Sequence, residues 1–392
     1  MTDFLAEAKA IAAEAVSWRR TFHGYAELNF DLDQTVAFVM EKLKSFGYEP
    51  ELVGKAGVSC VVGQGGKVLL LRADMDSLPM AEQSGLPFAA KGNSCHSCGH
   101  DIHTAMLLAA ARILKEHESE LCGRVKFMFQ PAEEILGGAN DMIEAGILEN
   151  PHVDAAIGMH TAVGNSPVTN VGNVSFKRDY SHYSGDMMKV IVHGKQAHGS
   201  TPEDGVDAIS IAAHITIGVQ ELVSREVGIL EPAMVLVGKI YGGDSCNTEA
   251  GTCTLELSVR TASAPIRDFL IRRVGEIAQG TAMTYRGTAT VEHTYGIGPM
   301  YNHPDMIACV PGYAAELLGQ EHVVEVSKPS GTEDFSAIAA RVPSIYLCTG
   351  FGSTAGEGVN IHNPHVIFDE AAIPTGIALY CHTAARWLEE HQ

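Results

Sequence analysis

Residues 67–76 read KVLLLRADMD, an apolar run that ends in two carboxylates, Asp74 and Asp76. Lys67–Arg72 reads as a strand. Charge directly after a strand marks a candidate site, because open α/β sheets bind outside the carboxyl ends of their strands. Around this stretch, Ser59–Val62 is a second strand and Thr35–Phe46 a helix stopped by Gly47. His103–Lys115 is a strong helix, and Lys126–Gln130 and Ala155–Met159 are short apolar strands. Strands separated by helices imply a layered α/β sheet.

The middle of the chain changes character. Met187–His193 alternates like a strand and Gly205–Ser224 reads as a helix. Ala233–Ile240 and Thr252–Thr261 are strands joined through a turn at Gly242-Gly243, Ile266–Met283 is a helix and Thr288–His293 a strand. This β-α-β-β-α-β order is the ferredoxin-like pattern of a small separate domain. Helices at Asp305–Leu318 and Ile373–Glu390 and a strand at Ser344–Leu347 then resume the first pattern. The expected architecture is a three-layer, mixed-sheet α/β domain over residues 1–182 and 297–392, interrupted by an α+β insertion over 183–296.

The 392 residues exceed one ordinary domain. Apolar residues make up 46% and charged residues 19%, the range of a chain that buries a sizeable core. The net charge of −20 argues against nucleic acid and anionic membranes as partners. No stretch approaches the ~18 continuous apolar residues of a membrane span. The N-terminal MTDFLAEAKAIAAEAVSWRR reads as an amphipathic helix without the layout of a secretory signal. Nine cysteines without framework spacing read as reduced thiols of a cytoplasmic protein.

Five places carry candidate chemistry. Asp74 and Asp76 could orient the histidines of a metal site. Cys95-His96-Ser97-Cys98-Gly99-His100-Asp101-Ile102-His103 holds six ligand-type side chains in nine residues. A zinc ribbon would need a second CxxC, and none exists. In an extended loop, Cys98 and His100 would point the same way and present a thiolate and an imidazole together. Glu133-Glu134 follows the strand ending at Gln130; adjacent carboxylates repel unless a cation is near. One would ligate metal while its neighbour takes a proton from water. His160 after AAIGM and His362 in NIHNP gain weight from this company, since a lone histidine is more often structural. Together these residues suffice for two metals roughly 3.5–4 Å apart. HExxH, GxSxG and Walker A signatures are absent.

These residues resemble the M20 metallopeptidases, in particular the amidohydrolase branch. The likeness runs from Trp18-Arg19-Arg20…His23…Glu27-Leu28 through RADMDSLPM, SCGHDIHTAMLLAAA, FQPAEE…GGA, GMH, HGKQAHGSTPEDGVDA and SGTEDFS to IHNPHV. The resemblance implies that Cys98, His100, Glu134, His160 and His362 bind two divalent ions, Mn²⁺ or Zn²⁺, with the Cys98 thiolate as the bridge. It implies Glu133 as general base and then acid, and Asp76 as the carboxylate behind the ligands. His198 would reach across a homodimer, formed through the inserted lid domain, to stabilise the oxyanion in the partner's active site. Asn247 and Arg260 would line the substrate pocket. Asp74 together with the thiol at 98 is what places the chain in the amidohydrolase branch. Ala26 stands where the family usually has proline, and Cys95-His96 add ligand-type residues open to stray metal or oxidation.

The implied activity is cleavage of the amide bond of small N-acyl amino acids by metal-activated water. A dipeptidase or carboxypeptidase of the same family shares that chemistry and is the alternative. A non-catalytic metal- or ligand-binding protein is the remote one, and the intact Glu133 with a full ligand set argues against it.

Overall fold

Val68–Asp74 is buried along its whole length, on both faces of the sheet it belongs to. In the computed structural model, which describes residues 2–328, 331–353, 356 and 358–392, this strand lies inside an eight-stranded mixed sheet. Its parallel neighbours are Arg124–Gln130 on one side and Ala155–Ala162 on the other, with Ser344–Gly350 parallel to the latter. Gly57–Gly63 runs antiparallel to Arg124–Gln130. Full burial explains why these strands read as continuous apolar runs rather than as alternation.

One face of the sheet, with Leu69, Leu71, Phe127 and Ile157, joins the helices Ala12–Tyr25, His100–Glu116 and Ile373–Glu390 in the main core. The other face is covered as well. Met142 of the short helix Gly138–Glu144 sits where a side chain at Gly57 would point. Lys126 crosses the same face to donate to the carbonyl of Glu149 at 2.6 Å. The sheet's four parallel strands, Arg124–Gln130, Val68–Asp74, Ala155–Ala162 and Ser344–Gly350, present their carboxyl ends along one edge.

The N-terminal helix breaks at Ile11 into Phe4–Ala10 and Ala12–Tyr25. Ala26 ends the second piece at φ 43, a conformation the proline ring cannot take. Glu27 then accepts the N–H groups of Gln34 and Thr35 at 3.0 and 2.8 Å, capping the helix Asp33–Ser45.

Two compact units divide the chain. One comprises Met1–Asp179, Tyr301–Lys328 and Ala337–Gln392; the other comprises Tyr180–Met300 and Pro329–Ser336. The second unit has a four-stranded antiparallel sheet in the order Ala233–Gly242, Thr252–Thr261, Gly185–His193, Thr288–Ile297. Helices Ala208–Glu221 and Ala264–Thr284 pack on it through Ile215, Val219, Leu270 and Val274. This is the ferredoxin-like order read from the sequence. The first of these helices begins at Ala208 because Asp207 caps it, accepting from Ile209 and Ser210. The boundaries at 183 and 296 miss the short return segment of this unit. Tyr183 donates its N–H to Gly331 at 2.8 Å and Gly185 packs against Thr332, which ties that segment to the second unit.

Candidate metal centre

The first unit gathers its reactive side chains at the carboxyl ends of its central strands. Asp74 closes Val68–Asp74, with Asp76 two residues on; Glu133 and Glu134 follow Arg124–Gln130; His160 lies within Ala155–Ala162. His100 opens the helix His100–Glu116.

Cys98 and His100 come together differently from the expected extended loop. Gly99 between them takes φ 89, and a Cβ there would lie 2.5 Å from Thr161 Oγ1 and 3.1 Å from the Phe368 ring. A left-handed glycine pressed between two elements, not strand-like alternation, aims both side chains. Cys98 Sγ lies 3.3 Å from His160 Nε2. His160 Nδ1 donates to the Thr161 carbonyl at 2.6 Å, so its Nε2 lone pair faces the thiol. His100 Nε2 lies 3.9 Å from Glu134 and 4.0 Å from Glu133, with Asp76 3.5 Å from Nδ1. His362 Nε2 lies 3.5 Å from Glu134, on a half-exposed side chain whose backbone sits at φ 58. The donor atoms fall into overlapping groups: Cys98, His100 and His160; Cys98, Glu134 and His362; His100, Glu133 and Glu134.

The electrostatics fit cations. Neither nitrogen of His100 nor Oε1 of Glu134 has a hydrogen-bond partner among the described residues, although all three are buried. Buried polar atoms are almost always paired, so these await a ligand. Burial pushes the Cys98 thiol well above its ordinary range, and ionising it there calls for a positive neighbour. Burial, with Asp76 and Asp74 nearby, raises Glu134 to about 7 despite His100. For His100, burial favours the neutral ring, but Asp74 and the other acidic neighbours raise it well above the usual histidine value. A thiolate, imidazole and carboxylate set of this kind suits a divalent transition metal.

Behind these atoms stands a second layer. Asp74 is fully buried between Arg72 Nη1 at 2.8 Å and His103 Nδ1 at 2.5 Å. Burial works against its charge, but Arg72, His100 and His103 hold it well below the usual carboxylate range. Arg72 also donates to Gln130 Oε1 at 2.9 Å. The Thr161 N–H donates to His103 Nε2 at 2.8 Å, which leaves the ring proton on Nδ1 for Asp74. His103, Thr161, Arg72 and Gln130 have no assigned role in the sequence reading. Only the spacing of His103 from His100, one helical turn, signals that they share a face. Cys95 and His96 are both buried, so neither stands open to stray metal or oxidant as expected.

His198, Asn247 and Arg260 belong to the second unit. His198 pairs with Thr248 in a two-stranded ribbon, and the Asn247 carbonyl accepts the Gly199 N–H at 2.9 Å, so the two are brought together. His198 Nδ1 accepts the Ser200 N–H at 3.2 Å, leaving an N–H on exposed Nε2. Arg260 lies on the larger sheet, donating to Thr332 Oγ1 at 2.7 Å.

Thiol, imidazole and carboxylate donors gathered at the strand ends of a mixed α/β sheet are the make-up of a divalent-metal site. Residues 70–386 match the model of peptidase family M20/M25/M40, and the chain belongs to that family, in its amidohydrolase branch. It is 33% identical to an N-acetyl-L-cysteine deacetylase of Bacillus subtilis over 97% of this chain and 89% of that protein. It is also 33% identical to the IAA-amino acid hydrolase ILR1-like 4 of Arabidopsis thaliana, over 96% and 86%. Among solved structures it superposes on the Bacillus subtilis YXEP protein, a dinuclear metal-binding peptidase of the M20 family. That superposition has a TM-score of 0.82 and 29% identity over 97% and 99% of the two chains. No helix among the described residues is long and apolar enough to cross a membrane.

Proposed function

We propose that this chain hydrolyses the amide bond of small N-acyl amino acids, using two divalent cations held by Cys98, His100, Glu134, His160 and His362. The observation that carries this reading is the convergence of those donors on one another, with Glu133 beside His100, at the strand ends of one unit. The deacetylase and the IAA-amino acid hydrolase support the substrate class. The donor set suits Zn²⁺ or Mn²⁺.

Bound there, the cations would supply Lewis acidity and lower the pKa of the attacking water toward neutrality. Glu133 takes a proton from that water and returns it to the leaving nitrogen. Asp76 fixes Glu133 and Glu134 through their N–H groups. His198 of the partner subunit donates its Nε2–H to the developing oxyanion. Arg260 grips the substrate carboxylate, and Asn247 lines the substrate pocket. The second unit serves as lid and homodimer interface, and the protein works in the cytoplasm with its thiols reduced.

The test is a panel of N-acetyl, N-benzoyl and indole-acetyl amino acids and simple dipeptides, with protein stripped of metal and reloaded with Mn²⁺ or Zn²⁺. Metal-restored cleavage of the acyl amino acids is the expected result. Cleavage confined to dipeptides would move the assignment to a dipeptidase, and silence with two metals bound would sink it.

A further inference from the structure

A second buried set of charges lies beside the candidate metal centre and takes no part in the chemistry above. Arg19 Nε and His23 Nδ1, one helical turn apart on Ala12–Tyr25, both reach Asp101 Oδ2 at 2.8 Å. Asp101 is fully buried and directly follows His100. His23 Nε2 meets both carboxylate oxygens of Glu82 at 3.0 Å. With a carboxylate at each ring nitrogen, His23 is held as an imidazolium that donates at both ends.

Glu82 belongs to the irregular segment 77–97, which runs from Asp76 to Cys98. Its carboxylate accepts the Ala90 N–H at 2.7 Å and the Ser84 hydroxyl. The Phe88 ring of the same segment lies 5.0 Å from the Arg19 guanidinium carbon and 4.9 Å from that of Arg20. The segment in turn holds the His362 loop. The Gln83 N–H donates to the Pro364 carbonyl at 2.8 Å, and the Ser97 carbonyl accepts the His362 N–H at 3.0 Å. The cluster thus ties one helix to the three places from which Cys98, His100 and His362 emerge.

Buried ion pairs are weak stabilising devices, because desolvation offsets much of their attraction. What they do well is fix direction, since each charge-assisted hydrogen bond has a narrow geometry. We propose that Arg19, His23, Glu82 and Asp101 form a positioning cluster for the metal centre, holding Cys98, His100 and His362 in the overlapping donor groups that two cations would share. This inference rests on the metal-binding reading above.

The test is a cobalt titration of metal-stripped protein against a competing chelator, following the thiolate-to-cobalt absorption band. Wild type is expected to develop the band, and Cys98→Ser to lack it. Glu82→Gln and Asp101→Asn should keep the wild-type circular dichroism yet bind cobalt about 10–100-fold more weakly, with an altered band at saturation. Val39→Ala, which opens space in the core without touching the cluster, should melt earlier but bind cobalt as wild type does. If Glu82→Gln and Asp101→Asn bind within about twofold of wild type with an unchanged band, the positioning role is overturned while the metal reading stands. If wild type binds no cobalt, the metal reading falls and this inference with it. Should Asp101→Asn not fold, Glu82→Gln decides alone, because Glu82 lies outside any helix or strand.

Discussion

Asp76 Oδ1 accepts the main-chain N–H of Glu133 at 3.0 Å, and its other oxygen accepts that of Glu134 at 3.2 Å. One strand end thereby holds the turn that follows its parallel neighbour. That turn needs holding, since Ala132 and Leu136 sit at φ 54 and 55, which side-chain-bearing residues rarely adopt. In Asp76→Asn one of the two acceptors becomes a donor facing an N–H. We expect kcat to fall about 10–100-fold with metal content reduced. Steady-state kinetics beside metal analysis checks this, and an unchanged kcat would remove Asp76 from the machinery.

Glu133 and Glu134 are neighbours with different surroundings, so their substitutions should differ in kind. Glu133→Gln should retain both metals and lose about 10²–10⁴-fold in turnover, the usual worth of a positioned proton carrier. Glu134→Gln should lose metal first. Metal analysis of the two purified variants separates the roles, and a Glu133→Gln enzyme within about tenfold of wild type would show that another group moves the proton.

Much of this arrangement is legible in the sequence, and the illegible part has a physical pattern. Val68–Asp74 and Arg124–Gln130 stand out because strands buried on both faces are dominated by apolar residues, here Val68–Leu71 and Phe127–Phe129. Glu51–Val53, Val174–Phe176 and Val323–Glu325 do not, because three residues carry no period. Cys98 and His100 can be picked out by residue type, whereas their actual geometry depends on Gly99 being pressed against Thr161 and Phe368. His103 lies inside the ligand-rich stretch, yet its role is set by a backbone N–H fifty-eight positions later. The Arg19–Asp101 and His23–Glu82 pairs bring together residues 82 and 59 positions apart, and no local pattern announces such a contact.

Gly99 offers a direct test of that packing. Its φ of 89 and the 2.5 Å approach of Thr161 Oγ1 leave no room for a methyl group. The threonine cannot simply swing away, because its hydroxyl donates to the Cys98 carbonyl at 3.1 Å. Gly99→Ala should lower stability by about 1–3 kcal/mol and weaken metal binding together. Thermal melts of metal-free protein beside a metal titration measure both, and a melt unchanged from wild type would contradict the geometry.

The charged His23 should leave a mark on stability in the alkaline range. Burial alone would lower its pKa, but Asp101 and Glu82 overcome that and raise it from 6.5 to about 9. The folded state therefore holds a proton that the unfolded chain releases once pH passes 6.5. Stability from this group is complete below pH 6.5, declines between 6.5 and about 9, and is gone above that. A shift of this size amounts to on the order of 3 kcal/mol on a side chain with almost no solvent exposure. Asp101 has the opposite sign. Despite burial, Arg19 and His23 hold its carboxyl far below the ordinary range, so its contribution is complete above pH 3.8 and fades only in acid. The two windows do not overlap, but Glu134, raised to about 7, and the raised His100 share the histidine's range, so its part is read from the difference between wild type and a His23 variant. Urea unfolding of metal-free wild type and His23→Gln should differ most at pH 6 and least at pH 10. A difference that stays constant across that span would mean His23 is neutral in the folded protein and that its contacts with the two carboxylates are ordinary hydrogen bonds.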